Sequence, residues 1–404
     1  MGPSSATASF WIPRRLSSLG TVLESFPALL ITGPRQSGKS SLLQHLLPRA
    51  ARFNLDQVSV RERIESNLAL LSAPRTVILN EVQKMPQLFE ELKARIDAER
   101  ARKGLFALTG SEQFHLMKGI SDSLAGRIAI QKLYPLSAHE LLNTGLIEHT
   151  PSSLQRLILR GGYPELWSTQ IDAALWHQSY LDTYVERDVR AHFGVQHSEA
   201  FYRFMRLLAA RVGQLLNISE LARDCCISPP TAREWLAILE RSYIIGIVYP
   251  WYANLGKRYV KMPKVYFLDS GLLAHILGLQ ESMTLDGHPM LGQLMENFVY
   301  TELVKALSLS PFKGTIFFYR TTDGAEVDFI VERGLQRIGL EVKSTGNPAK
   351  LSEVRALHEL SKLQVITGGF VVSQCPEQVL LAERISLQPW WDAGDLAALG
   401  LDSG

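Results

Sequence analysis

Residues 26–50 read FPALLITGPRQSGKSSLLQHLLPRA. A short apolar run ends in glycine, a polar loop follows, and leucines then recur at helical spacing, so the stretch reads strand, loop, helix. Within it Gly33, Pro34, Arg35, Gln36, Ser37, Gly38, Lys39 and Ser40 match GxxxxGK[ST] in the setting that makes the pattern specific, after a strand and opening a helix. Glycines let backbone N–H groups curl around phosphate oxygens, and the helix N-terminus offers partial positive charge. Lys39 is expected to reach the outer phosphates and Ser40 to ligate Mg²⁺, with Ser41 the next residue of the same nucleotide-binding run. The stretch predicts binding of ATP or GTP.

Outward from it, RTVILNEVQ places Val77, Ile78 and Leu79 in a second buried strand, PQLFEELKARIDAER is an amphipathic helix opened by Pro86, and LFALTGS is a third strand. Apolar strands alternating with helices over about 130 residues predict a doubly wound parallel sheet with its chemistry at the strand ends. The second strand should end in a magnesium-organising Asp followed by a Glu that polarises the attacking water, and here the pair is Asn80-Glu81. Asn80 can hydrogen-bond a metal-bound water but adds no charge, so lowered metal affinity and slow turnover are expected while Glu81 keeps the base role. Ser111, just past the third strand, stands where a polar side chain senses the γ-phosphate, and its spacing suits a plain strand-end turn equally well.

The chain has 404 residues, enough for two or three domains with cores of their own. The expected division is an ATPase domain over 1–145, a helical connector over 146–197, a winged helix over 198–268 and a third, α/β domain over 285–390, before a short acidic tail. No apolar run is long enough for a membrane span, and the N-terminus lacks the layout of a signal peptide, so a cytoplasmic protein with no membrane partner is expected. Three cysteines, two of them adjacent, make neither a disulfide framework nor a zinc site. Lys plus Arg at 42 against Asp plus Glu at 40 leaves a net charge of +2, so nucleic-acid binding would need a local basic patch.

Such a patch lies in 198–268, where ten Lys/Arg face five acids. Three helical stretches precede two short apolar segments, IIGIVYPWY and KVYFLDS, a winged-helix pattern. In ISPPTAREWLAILERSY, Ser228 can cap, Pro229 suits the first helical position, and Ala232, Trp235, Leu236 and Leu239 form a buried stripe. Thr231 and Arg233 are thereby left outward, near the end that meets a groove. Lys257, Arg258, Lys261 and Lys264, with Tyr259 among them, fall in the expected wing and suit phosphate contact.

In AEVDFIVER and RIGLEVKS, strand alternation puts Glu326 and Asp328, and Glu341 and Lys343, opposite the apolar faces. Two adjacent strands would present Asp328, Glu341 and Lys343 together, which resembles the PD-(D/E)xK nuclease core, with Glu296 on the preceding helix as a fourth member. There the carboxylates would hold Mg²⁺ or Mn²⁺, and Lys343 would orient the attacking water. The same alternation also suits a strand with one face in water.

The ordered set GPRQSGKSSLL, NEVQKMPQLFEELK, LTGSEQF, SLAGRIAIQKLYPLSAHEL, GGYPE, YLDTYVERDV, LDSGLLAHILGL, ENFVYTEL, YRTTDGAEVDFIVE and LEVKST resembles prokaryotic AAA-type ATPases whose C-terminal domain has long been described as of unknown function. The resemblance runs over nearly the whole chain. It implies an ATPase fused to a winged helix and a restriction-endonuclease-like domain, acting on DNA as a ring, a hexamer being expected, at the nucleoid. It also implies that Arg127, in LAGR, is an arginine finger supplied to a neighbouring subunit. The leading expectation is an ATP-dependent DNA-processing enzyme, structure-selective in its DNA, whose C-terminal site cuts phosphodiesters. The alternative is a nucleotide-switched DNA-binding or remodelling ATPase whose nuclease-like fold does not cleave, and a third is a nucleotide-gated scaffold for proteins.

Overall fold

The computed structural model describes residues 10–16, 18–72, 75–110, 123–185, 189, 198–253, 261–310, 314–345 and 350–399. They form two compact units, one of residues 14–135 with 241–243, the other comprising 136–240 and everything from 244 onward together with the first residues of the chain.

The first unit runs α1 (Ser18–Ser25), β1 (Ala28–Thr32), α2 (Lys39–Leu46), β2 (Ala51–Asn54), α3 (Val58–Ser66), β3 (Val77–Asn80), α4 (Leu88–Ala98), β4 (Phe106–Gly110) and β5 (Ile128–Lys132). The five strands lie in the order β2-β3-β4-β1-β5 and all pair in parallel. β1 and β4 are buried along their whole length, as central parallel strands covered on both faces must be. Their apolar runs are those that the sequence announces. The edge strands β2 and β5 alternate with charged or exposed residues and carry no such run. The helix expected to open at Pro86, α4, begins two residues later at Leu88.

The second unit opens with α5 (Ala138–Asn143), α6 (Pro151–Arg160), α7 (Pro164–Ser168) and α8 (Ala173–Tyr184), and continues through α9 (Ser198–Ala209), α10 (Ile218–Asp224) and α11 (Pro229–Arg241). Then come β6 (Ile245–Pro250), β7 (Lys264–Phe267), α12 (Ser270–Ile276), α13 (Leu291–Leu309), β8 (Thr315–Arg320), β9 (Glu326–Arg333), β10 (Gln336–Val342), α14 (Arg355–Lys362), β11 (Gly368–Ser373), β12 (Val379–Ala382), β13 (Ile385–Pro389) and α15 (Ala393–Leu399). Residues 393–399, expected as an acidic tail, are thus helical.

Connector, winged helix and C-terminal domain, expected as three bodies, fall in this one unit. The reason is a strand pairing: β6 runs antiparallel to β7 but pairs in parallel with β8, Tyr249 opposite Phe317, so the hairpin is the end of one eight-stranded sheet, β12-β13-β11-β10-β9-β8-β6-β7. The start of the unit is tied to α13. Lys305 Nζ donates to the Leu136 carbonyl at 2.9 Å, and Glu302 accepts the Ala138 N–H at 2.9 Å. In the GGYPE turn Gly161 has φ of 79°, and a Cβ there would collide with Asp269, whose carboxylate accepts the Gly162 and Leu272 N–H groups and so joins α6 to the start of α12.

Candidate functional site

The loop between β1 and α2 forms from two backbone choices. Gly33 has φ of 141° and lies so close to the Leu133 carbonyl that a Cβ would overlap it, while Gln36 at φ 58° and Gly38 at φ 90° turn the chain through the left-handed region. Gly38 is the residue before the first turn of α2, so free N–H groups of that turn face the loop. Pro34 and Ser37 are buried, Arg35 and Gly38 half-buried, and Gln36, Ser40 and Ser41 exposed. Lys39 is buried; its ammonium donates to the Gly33 carbonyl at 3.1 Å and the Pro34 carbonyl at 2.6 Å. Burial pushes it down to about 8, opposed by Glu81 and assisted by Arg35.

Two further features suit a phosphate. The buried Ser37 hydroxyl has no hydrogen-bond partner among the described residues, and Lys39 holds only neutral carbonyls, which an anion can replace. These residues fit a nucleotide with Mg²⁺: the loop N–H groups and Lys39 would hold phosphate and Ser40 the metal, which supplies positive charge at the phosphate oxygens. Arg14, which no sequence pattern marks, clamps the loop from outside, donating to the Ser37 carbonyl at 2.8 Å and the Tyr134 carbonyl at 2.7 Å.

At the end of β3 the Asn80 side-chain oxygen accepts from the Thr109 hydroxyl at 3.0 Å, and the same hydroxyl receives the Glu81 N–H at 3.3 Å. Glu81 has φ of 56°, a left-handed conformation rare for a non-glycine residue and typical of held functional positions. Its carboxylate is oriented by Gln83 Nε2 at 2.7 Å. No sequence pattern marks Thr109 or Gln83 beyond Thr109 being the polar side chain of an otherwise apolar strand. Ser111 lies outside the described residues. Arg127, expected to reach a neighbouring subunit, is instead paired within its own unit, with Nε and Nη2 donating to the two Asp97 oxygens at 2.8 and 2.9 Å. That hydrogen bond holds the Asp97 carboxyl below the usual range. α4 brings a carboxylate of matching geometry to the turn that leads into β5.

In α11 the Ser228 hydroxyl accepts the Thr231 N–H at 3.2 Å and caps the helix. Ala232, Trp235, Leu236 and Leu239 are buried, Trp235 meeting Phe201 and Phe204 edge-on. Arg233 is exposed and Thr231 half-buried, its hydroxyl 2.7 Å from that of Ser228. Lys261 is exposed, whereas Lys257 and Arg258 lie outside the described residues. Lys264 does not belong to a wing. It is buried in β7, paired with Glu296 at 3.0 Å and with Glu326.

That pairing reshapes the expected metal site. β9 and β10 are antiparallel neighbours and bring Asp328 beside β10, where its carboxylate accepts the Val342 N–H at 2.7 Å; Lys343 donates to Glu341 at 3.0 Å. Asp328, Glu341 and Lys343 are thus close in the fold. Glu296, however, is turned to the Lys264 ammonium and the Tyr266 hydroxyl. Burial, with Glu296 and Glu341 nearby, holds the Asp328 carboxyl well above its usual range, and burial raises that of Glu341 against the pull of Lys343. Burial opposes the Lys264 charge, but Glu296, Asp328 and Glu326 outweigh it and push it up to about 12. Among the described residues no group of three Asp, Glu, His or Cys is gathered as a metal would need. The residues do not fit Mg²⁺ or Mn²⁺: Glu296 is spent on a lysine, contrary to its expected role as a ligand.

A parallel sheet with a phosphate loop after β1 and an oriented glutamate after β3 defines a P-loop ATPase of the AAA type, and residues 25–142 match the AAA domain family. Residues 151–283 and 291–392 match two domains of unknown function, DUF8612 and DUF4143. The chain is 31% identical to the Mycobacterium tuberculosis protein Rv2008c and, equally, to Mycobacterium bovis Mb2031c, over 91% of its own length and 82% of theirs. It belongs to the family of these mycobacterial proteins. A Haemophilus influenzae protein is 25% identical over 58% of each chain. Among solved structures, the Walker-type ATPase PABY2304 of Pyrococcus abyssi is similar at 16% identity over 64% of this chain and 93% of that one, with a TM-score of 0.45. The Thermotoga maritima RuvB Holliday junction branch migration motor is similar at 15% identity over 57% and 87%, with a TM-score of 0.30. No described helix is long and apolar enough to cross a membrane.

Proposed function

We propose that the protein is a nucleotide-switched ATPase that binds and remodels DNA through its second unit without cutting it. The observation that carries the reading is α11: a capped helix whose buried stripe leaves Arg233 in solvent near its N-terminal end, with Arg203, Arg206, Arg223 and Lys261 also exposed in the same basic segment. Such cations suit phosphate contacts and give no code for base edges, so affinity should follow DNA structure and salt more than sequence. Assembly into a ring, a hexamer by the resemblance, is part of the proposal, with ATP binding as its trigger; Arg127 would have to leave Asp97 to serve a neighbour.

The test is fluorescence anisotropy of labelled duplex, forked and four-way-junction DNA at two salt concentrations, with and without ATP. Binding that weakens with salt and with Arg233→Glu is expected, and no binding at low salt would sink the reading. The cleaving alternative draws on the nearness of Asp328, Glu341 and Lys343. Cutting of end-labelled DNA with Mg²⁺ or Mn²⁺ that disappears in Glu341→Ala would establish it instead.

A further inference from the structure

The acidic cluster of the second unit is organised around a lysine. Glu296 from α13, Glu326 and Asp328 from β9 and Glu341 from β10 supply four carboxylates. Lys264 enters from β7 with its side chain only 4% exposed and pairs with Glu296 and Glu326. Arg320 donates to the other Glu326 oxygen at 3.0 Å, and Lys343 to Glu341. Three cations therefore already face four carboxylates. The Lys264 ammonium also lies 5.5 Å from the centre of the Phe318 ring, so both its stem and its charge are held in place. One acceptor is left over: Glu341 Oε2 is buried and has no hydrogen-bond partner among the described residues.

We propose that Lys264 is the resident cation of this cluster and that its presence keeps the C-terminal sheet metal-free. An ammonium balances carboxylate charge as a metal does, but it has no open coordination position and cannot lower the pKa of a bound water. The inference rests on the non-cleaving reading above and adds a cause for it. It also implies that Glu296, freed of Lys264, can turn toward Asp328 and Glu341, so that the three carboxylates gather into a metal site.

Mn²⁺ binding to the nucleotide-free full chain, followed by the electron paramagnetic resonance of free Mn²⁺, tests this. Wild type and Glu341→Gln should bind Mn²⁺ alike, Lys264→Met should bind at least about tenfold tighter, and Lys264→Met/Glu341→Gln should lose the gain. A wild-type Mn²⁺ site that Glu341→Gln removes would overturn the proposal, as would a folded Lys264→Met with no gain, folding being judged by circular dichroism. Should Lys264→Met not fold, the wild-type melting temperature decides. Indifference to Mn²⁺ supports the proposal, and a rise that Glu341→Gln abolishes overturns it. Failure of DNA binding in the anisotropy experiment would end the functional reading and leave these metal outcomes as they are.

Discussion

Two buried lysines divide the molecule's chemistry between them. Lys39, at the start of α2, donates to carbonyls of its own loop and is pushed down to about 8, whereas Lys264, in β7, is set between carboxylates and pushed up to about 12. Both have lost their water, so the difference lies in the partner. A carbonyl returns only part of the hydration a charge gives up, and a phosphate can displace it at a gain; a carboxylate pair returns most of it and leaves little for a ligand to improve. The first lysine is poised for a ligand and the second is already satisfied.

The sharpest way to break the contrast is Lys264→Met, which strands Glu296 in a buried setting and leaves Glu326 to Arg320 alone, and should cost about 3–5 kcal/mol in chemical denaturation, with the further change Glu296→Gln recovering part of it. A loss under about 1 kcal/mol would mean the pair is not desolvated as described. Next in size is Lys39→Ala, expected to weaken ATP binding by about 100-fold in calorimetry, since a charge-assisted contact to phosphate is removed. Full ATP affinity in that variant would remove the phosphate role.

The two lysines should also part company with pH. Phosphate favours protonated Lys39, so ATP affinity should be complete below about 8 and fall by about tenfold per pH unit above it, until the raised pKa of the bound state is reached. Lys264 stays charged through that window, and the fold should be insensitive to it. A flat affinity from pH 7 to 9 would contradict the lowered Lys39. Asn80→Asp restores a charge at the end of β3 and should raise steady-state ATP turnover by about tenfold; an unchanged rate would show that the missing charge is not what limits it. The smallest effect belongs to Arg127→Ala. The Arg127–Asp97 pair is exposed, so the melting temperature should hardly move, and any large fall in turnover would then mark a role beyond that pair.

The phosphate loop was legible because its chemistry is local. Eight consecutive residues carry the pattern, and β1, β3 and β4 announce themselves by being apolar on both faces. The Ser228 cap and the buried stripe of α11 were legible for the same reason, four residues fixing a helix start and a 3.6-residue period fixing its face. Lys264 was misread because its neighbours in sequence, Lys257, Arg258 and Lys261, make a basic run, while its partners Glu296 and Glu326 lie far along the chain and meet it only through sheet pairing. The left-handed backbone at Glu81 and the Asp97 partner of Arg127 left no trace in periodicity, since neither changes which residues are apolar.

The parallel pairing of β6 with β8 bears on how the chain can be divided for study. A fragment ending near residue 268 keeps β6 and β7 but removes the neighbour that covers β6, and an uncovered strand edge is a template for self-association. A fragment beginning near residue 285 bares β8 in the same way and discards Lys264, leaving Glu296 without its cation and Glu326 with Arg320 alone. Cuts at the boundaries suggested by sequence therefore yield two sticky halves, and a soluble fragment is to be sought by starting at residue 136, after the last residue of the ATPase unit's main segment.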